Sequence, residues 1–389
     1  MLDGTNVALC VTGSVAAVKV VELAHELRRR GATVRAVMTE SARGIVHPDA
    51  VTYATDAPVV TELTGDVEHV ELCGADGWAD VCLVAPATAN TIGKIANGID
   101  DTPVTTVVTS ALGTGLPLVV APAMHEGMFD HPGVGENIDT LERWGVTVVP
   151  PRVEEGKAKI ADADTIALET ARATPPSPLA GTRVVVTSGA TAEPIDPVRV
   201  LTNRASGRTG RAVARGIYVN GGNVTLVHDG DRVPYADVVR VRTASEMMEA
   251  TLECAPDSDA FVSAAAVSDY TVEPAGEKLN SGEKRTLELE PTPKLVDAVR
   301  DMAPDLPIVG FKLESNSDRL LAAARELRDR VSMAFVVANE TTAMGGTDTS
   351  ASFVFPDGTR SFEGDKSALG LEIADELAAR IASDEEAEE

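Results

Sequence analysis

The chain has 389 residues, enough for two domains, and is 44% apolar but only 3% aromatic, so its cores must be built from Val, Ala, Leu and Ile. A formal charge of -26 argues against a nucleic-acid partner and against an anionic membrane surface. Acid spread over a whole folded chain suits a protein kept soluble in concentrated salt, where screening removes self-repulsion, so a salt-loving cytoplasm is the expectation.

The longest apolar runs, such as "VCLVAPA", fall well short of a membrane span. The N-terminus has neither a basic n-region nor a long apolar h-region, so no signal peptide is expected. Cys10, Cys73, Cys82 and Cys254 form no C-x-x-C pair and read as buried or idle thiols in a reducing cytoplasm.

"NVALCVTGSVAAVKVVELAHELRRRGATVRAVM" reads strand, glycine turn, helix, strand. The apolar run 7–11 is a buried strand, Leu23 and Leu27 recur at helical spacing, Gly31 stops the helix, and "TVRAVM" is the next strand. This is a βαβ unit on a parallel sheet. Further strands read at 81–85 and 117–121. Residues 172–183, "RATPPSPLAGTR", carry three prolines beside Ser and Gly and read as a linker. The pattern then restarts with "TRVVVTSGAT", the helix "GRAVARGIYVNGG" and the strand "NVTLVH". The spacing predicts two doubly wound α/β domains, 1–174 and 180–384, split near residue 177. Later strands read at 260–265, 307–311 and 334–338, and a last helix over about 367–383. Residues 271–285, "TVEPAGEKLNSGEKR", are polar and aperiodic and read as a mobile flap.

In such sheets ligands bind beyond the carboxyl ends of the strands. Gly13 and Ser14 follow the first strand, and Thr39 and Ser41 the second. After the third, Pro86 ends the strand and Ala87, Thr88 and Asn90 lead into a helix. Each hydroxyl alone is explained by helix capping, but three adjacent strand ends dressed this way suit a flat phosphorylated cofactor. His69, in "VEHVEL", is open to a structural or a functional reading. In "PAMHEGMFDH", His125 and His131 stand six apart, with Gly127 between and Pro132 after. This is not the i, i+4 pair of a zinc helix. In "TSGATAEPIDPVRVLTNRASGRTG" (187–210), Arg199, Asn203 and the "SGRTG" helix start would suit a bound phosphate and carboxylate.

These strings together resemble one family over nearly the whole chain. It is the bifunctional coenzyme A biosynthesis family that joins phosphopantothenoylcysteine decarboxylase to phosphopantothenate–cysteine ligase. "GSVAAVK", "HVEL", "WADVCLVAPATAN" and "PAMHEGM" resemble the decarboxylase half; the 187–210 string, "SAAAVSDY", "EKL", "VGFKLE" and "VAN" resemble the ligase half. The resemblance implies a flavodoxin-like flavoprotein domain followed by a Rossmann-like ligase domain. It implies FMN held by Gly13, Ser14, Thr39 and the run Pro86, Ala87 and Thr88, with His69 as catalytic base. The flavin serves to oxidise the thiol end of the substrate to a thioaldehyde-like state that accepts the electrons of decarboxylation. His125 stands where bacterial relatives use an asparagine against the substrate carboxylate, and is read as the variant of the archaeal branch. The proton-donating cysteine of the bacterial flap has no counterpart in "VEEGKAKIADAD", where Lys157 or Lys159 offers a replacement.

For the ligase half, the resemblance implies activation of 4′-phosphopantothenate by CTP or ATP through an acyl-nucleotide, followed by attack of cysteine. Asn203 steadies the intermediate, Arg199 assists and Lys278 meets the phosphates. Ser263, Ala264, Ala265, Asp269, Pro293, Lys294, Leu295, Val296 and Phe311 match nucleotide contacts. Mg²⁺ would bridge the phosphates, through ligands the resemblance does not identify. Two family lysines are unmatched; Arg325, Arg328 and Arg330 could substitute. The resemblance also implies a homo-oligomer, trimeric through the decarboxylase and dimeric through the ligase, with flavin sites between subunits. Two rivals stand against it. One is an active ligase carrying a non-catalytic flavin scaffold. The other is a nicotinamide dehydrogenase, disfavoured because G-x-G-x-x-G is absent after both first strands.

Overall fold

The computed structural model describes residues 1–154, 157–282, 284–314, 317–340 and 348–388. The chain divides inside the proline-rich segment into two units, Met1–Pro176 and Ser177–Glu389. In the first, the strands are β1 (Asn6–Val11), β2 (Thr33–Met38), β3 (Val81–Ala87), β4 (Leu118–Pro122), β5 (Met124–His125), β6 (Thr147–Val148), β7 (Arg152–Glu154) and β8 (Lys157–Lys159). Five of them form a parallel sheet in the order β2-β1-β3-β4-β6. All of β3 and β4 is buried, as strands covered by helices on both faces must be. β3 runs one residue past Pro86, because the ladder shifts register between Val84 and Ala87 and so passes the residue that has no N–H to donate.

The helix Val20–Arg29 buries Val20, Leu23, Ala24 and Leu27 on one stripe. It is followed by Gly31 at φ +99°, where a Cβ would lie 2.7 Å from the Asp3 Cα. Cys10, Cys73 and Cys82 are buried free thiols, with the Cys10 and Cys82 sulfurs 3.9 Å apart. The adjacent Cys82 sulfur and burial both push the Cys73 thiol far up, so it stays protonated and serves as core packing. A small antiparallel sheet, β5-β8-β7, sets His125 opposite Lys157 and Met124 opposite Ala158.

The second unit has β9 (Arg183–Thr187), β10 (Ala192–Pro194), β11 (Val200–Thr202), β12 (Asn223–His228), β13 (Asp237–Arg240), β14 (Ala260–Ser263), β15 (Tyr270–Thr271), β16 (Glu290–Pro291), β17 (Ile308–Glu314), β18 (Phe335–Glu340), β19 (Asp348–Val354) and β20 (Thr359–Asp365). Its main sheet runs β13-β12-β9-β14-β17-β18-β19-β20. The pairs from β13 to β18 are parallel, and β19 and β20 add an antiparallel hairpin. This is the Rossmann strand order with an extra edge. The hairpin and β13 lie outside the strands read from sequence, as does the short β10–β11 hairpin inside 187–210. Few aromatics suffice because they are gathered: Phe335, Phe353 and Phe355 pack with centroids 5.5 to 6.0 Å apart.

The helices Arg208–Val219 and Lys366–Glu388 cross at two glycines. A Cβ on Gly216 would press on the backbone of Gly370, and a Cβ on Gly370 on that of Ala212. Backbone meets backbone there, so neither side can give way. Gly216→Val should lower the stability of the second unit by about 1–3 kcal/mol through overpacking. Gly113→Ala, in a helix where a Cβ would meet nothing within 4 Å, should be neutral or stabilising by up to about 1 kcal/mol. Urea unfolding of both variants checks the contrast, and equal shifts would refute the close-crossing explanation.

Candidate active site

A cavity of about 1080 Å³ lies at the carboxyl ends of β1 to β4. It is bounded by the segments that follow each strand: Thr12–Ala16, Thr39–Ser41, Thr88–Thr91 and Ala123–His125. The sheet reverses its winding between β1 and β3, which opens a crevice at that edge. Thr12 Oγ1 donates to the Pro86 carbonyl at 2.6 Å and ties the two strand ends together. Ser14 accepts from the Ala16 N–H at 3.3 Å and donates to the Ala123 carbonyl at 3.3 Å. Thr39 caps Glu40–Arg43, accepting from Ala42 N–H at 3.2 Å; Thr88 caps Ala89–Ala96, accepting from Thr91 N–H at 3.2 Å. Thr102 opens Pro103–Thr114 with a capping box to Thr105. Every one of these caps lines the cavity, so first-turn amides and helix dipoles converge on it and favour an anion.

Gly13 packs directly on Ser41: a Cβ there would lie 2.5 Å from the Ser41 Cβ, closer than two carbons can approach. Lys19, Lys94 and Lys159 also border the cavity, with Lys94 paired to Asp101 at 2.7 Å. Val15, Val18, Met124, Met128 and Ile160 supply apolar surface, and Val15 is 82% exposed. Of the three "PAT" residues only Thr88 lines the cavity. Pro86 and Ala87 are buried in β3, and Pro86 contributes its carbonyl to Thr12.

His125 lines the cavity, exposed and paired through its backbone to Lys157. The side chain of Lys157 lies outside the described residues. His131 is a helix cap: its Nδ1 accepts from the Gly133 N–H at 3.1 Å. Among the described residues no cluster of three His, Cys, Asp or Glu side chains could hold a metal. His69 sits in the first turn of the helix Glu68–Cys73, outside the cavity lining, with Nδ1 buried and unpaired. A single chain therefore does not bring His69 and the cavity together.

The second unit reverses its winding between β9 and β14, and the sequence-read residues gather there. Gly189 carbonyl accepts from Ala266 N–H at 2.8 Å, Thr191 Oγ1 accepts from Ser268 N–H at 2.9 Å, and Asn203 Nδ2 donates to the Ala266 carbonyl at 3.0 Å. Asn203 is thus joined to the loop that continues Ser263, Ala264 and Ala265. Gly207, at φ +71°, precedes the helix Arg208–Val219; its carbonyl accepts from Ser188 Oγ at 2.9 Å. A Cβ on Gly210 would come within 2.6 Å of Ser188 Cβ, so that helix start lies tight against the first loop. Asp269 pairs with Lys294, which precedes the helix Leu295–Met302. Phe311, on β17, is half-buried against one core cluster and Val296 against the other, while Pro293 is exposed. Leu295 is 5% exposed and its side chain packs in the core with Val299. Arg325, Arg328 and Arg330 contact Thr359, Asp329 and Asp297, the interactions of a helix face.

Sequence reading missed Asp196. Its side chain is fully buried, and its Oδ1 accepts from Val198 N–H and Arg199 N–H, each at 2.8 Å. Its Oδ2 accepts from Leu279 N–H at 3.1 Å and pairs with the Arg199 guanidinium. Burial pushes this carboxyl up, but the N–H donors of Val198, Leu279 and Arg199 and the Arg199 charge outweigh it and hold the pKa at about 2. The available signal was the run "DPVR", an acid two residues before a backbone N–H it can accept from. Lys278, next to Leu279, is exposed.

Two doubly wound α/β units in series, the first with a cavity at the carboxyl ends of its strands, define the class of the fold. Residues 1–174 match the family described as "Flavoprotein", and residues 179–382 match "DNA/pantothenate metabolism flavoprotein C-terminal domain". The chain is 48% identical over 355 residues to the coenzyme A biosynthesis bifunctional protein CoaBC of Thermococcus kodakarensis, covering 89% of this chain and 88% of that one. It is 35% identical over 346 residues to the CoaBC protein of Methanocaldococcus jannaschii, covering 87% and 84%. A solved structure described as the FMN-dependent cysteine decarboxylase SpaF aligns with 43% of this chain and 99% of its own, at 32% identity and a TM-score of 0.39. The chain belongs to the CoaBC family of coenzyme A biosynthesis bifunctional proteins and is an enzyme with carboxy-lyase and carbon–nitrogen ligase halves. Among the described residues no helix is long and apolar enough to cross a membrane.

The low pKa of Asp196 has a definite sign. A carboxyl depressed in the folded state stabilises it above the ordinary Asp range, and that contribution is lost as pH falls from about 4 to about 2. Asp196→Asn should therefore be less stable than wild type near neutral pH, with the gap closing as pH approaches about 2. Urea midpoints across that range check it; a gap independent of pH would count against the ionised carboxylate.

Proposed function

We propose that this chain makes 4′-phosphopantetheine in two steps. The second unit joins 4′-phosphopantothenate to cysteine, using CTP in preference to ATP, and the first unit decarboxylates the product with FMN. The observation that carries this reading is the cavity of the first unit, where the capping residues of four helical segments meet in a chain of the CoaBC family.

The residues present fit FMN: Ser14, Thr39 and Thr88 present helix-start amides to a phosphate, Gly13 lets the first loop pack closely on Ser41 beside them, and Val15, Val18 and Met124 offer apolar surface to a ring. Bound FMN supplies the two-electron redox chemistry that makes the cysteine carboxylate a leaving group. His125 donates a ring N–H to that carboxylate and orients it, as an amide would. His69 takes the thiol proton. Since His69 lies outside its own cavity, it serves the cavity of a second copy, in keeping with trimeric decarboxylase contacts. Lys159, at the cavity wall, returns the proton in place of a cysteine.

In the second unit, Asn203 steadies the acyl-nucleotide and Arg199 assists. Lys278 meets the phosphates, whose remaining charge a bound Mg²⁺ would offset. Ser263 to Ala265, Asp269, Pro293, Lys294, Val296 and Phe311 surround the nucleotide, Leu295 serving through its backbone alone. Dimeric contacts belong to this unit. An excess of 60 acids over 34 bases suits activity in concentrated salt, where surface repulsion is screened.

A coupled assay with 4′-phosphopantothenate, cysteine and either CTP or ATP, at low and high KCl, tests both steps. Carbon dioxide release is expected, faster with CTP and with salt. Ligation without CO₂ release would leave the first unit as a flavin scaffold, and full activity in dilute buffer would remove the salt requirement. His69→Asn should slow CO₂ release by about 10²-fold or more and leave ligation unchanged. Val15→Glu, at an exposed position of the cavity lining, should yield folded protein without the yellow flavin absorbance, and a flavin-loaded variant would refute the assigned site.

A further inference from the structure

The segment read as a mobile flap is stitched down along its first half. Thr271 Oγ1 donates to Glu193 Oε2 at 3.3 Å, Ala275 N–H to the Ile195 carbonyl at 2.9 Å, and Leu279 N–H to Asp196 Oδ2 at 3.1 Å. Arg199 Nη1 closes the last link by donating to the Leu279 carbonyl at 3.1 Å. The three anchors fall four residues apart on the flap, and all their partners lie on the β10–β11 hairpin. Two of those partners are buried acids, Glu193 and Asp196, exposed by only 4% and 3%. Glu193 is fixed from behind by the Ala244 N–H at 2.9 Å. Lys278 directly precedes the last anchor, whereas the residues that follow, such as Asn280 and Lys284, are exposed.

We infer that Asp196 is a positioning residue for ligation: it latches Leu279 and Arg199 together and thereby sets where Lys278 and the Arg199 guanidinium meet the substrate phosphates. The two oxygens of the carboxylate divide the task. Oδ1 holds the hairpin's own turn through Val198 and Arg199, and Oδ2 holds the flap. Glu193 sets the other end of the segment at Thr271. A flap so held keeps Lys278 on its anchored side. The lysine is then presented to the nucleotide already placed.

This inference rests on the ligase reading of the second unit, and its test separates the two. Asp196→Asn keeps an oxygen for the turn but puts an amide donor where Leu279 N–H and Arg199 need an acceptor. Leu279→Pro deletes the flap's N–H and leaves the hairpin untouched, so one variant can stand in if the other fails to fold. Either should lower the kcat of ligation about tenfold or more while the nucleotide KM changes less than about threefold, as misplacement of a catalytic group does. In a Lys278→Ala background the same change should add less than it does in wild type, because part of its effect acts through that lysine and the rest through Arg199. Trypsin should cut after Lys278 faster in both variants than in wild type, as mapped by mass spectrometry. Wild-type kcat in the variants, or effects that multiply with Lys278→Ala, would overturn the latch. A wild-type chain that does not ligate at all would overturn the ligase reading, and the trypsin comparison would then decide the latch alone.

Discussion

A parallel ladder cannot turn back on itself, and most of this molecule follows from that. Each parallel strand must be followed by a crossover, so the chain leaves the sheet at the same edge every time. In both units this sends the first loops to one edge, and the winding reversal beside the first strand parts them into a crevice. Small hydroxyls then have two compatible tasks. Thr39 and Thr88 cap the helices that the crossovers require, and by capping them they hold the helix starts toward a shared space. The capping and cofactor readings of these residues are one arrangement seen from two sides.

The buried strands were legible because strands covered on both faces become continuous apolar runs: "TVRAVM" and "NVTLVH" match β2 and β12 residue for residue. The elements not read lack that signature. β13 has two half-buried valines between charged ends, and β20, at the sheet edge, is exposed at most positions with Phe362 as its one large apolar side chain. The cavity lining was legible where a local string carries it, as for Ser14, Thr39 and Thr88. It was not legible where it depends on meetings between distant segments. The buried carboxylate of Asp196 meets Leu279 only because the hairpin and flap come together. Leu295 and Val299 are four apart on one helical face and both are buried, a spacing the local sequence does show. That His69 does not line the cavity follows from where the helix Glu68–Cys73 packs, which no local string shows.

Carboxylates play two opposite parts here. Most are exposed, where pairs such as Arg28 with Asp56 contribute little stability and salt screens them easily. Glu193 and Asp196 are dry and fully engaged by backbone N–H groups, hydroxyls and one guanidinium. In a chain so rich in acid, what distinguishes the two that matter is burial with every oxygen occupied. Charge count describes how the molecule meets its solvent; the enclosed pair describes how its parts are held to one another.

The glycine crossing bears on the order in which the two units form during synthesis. The helix Arg208–Val219 leans on the helix Lys366–Glu388 through Gly216 and Gly370. The first unit can fold once the linker has been made, while the ribosome is still translating. The second has no finished support for its first helix until Lys366–Glu388 emerges, and its most distant contacts are among the last to form. The carboxy-lyase half can therefore take shape before the ligase half has its last support.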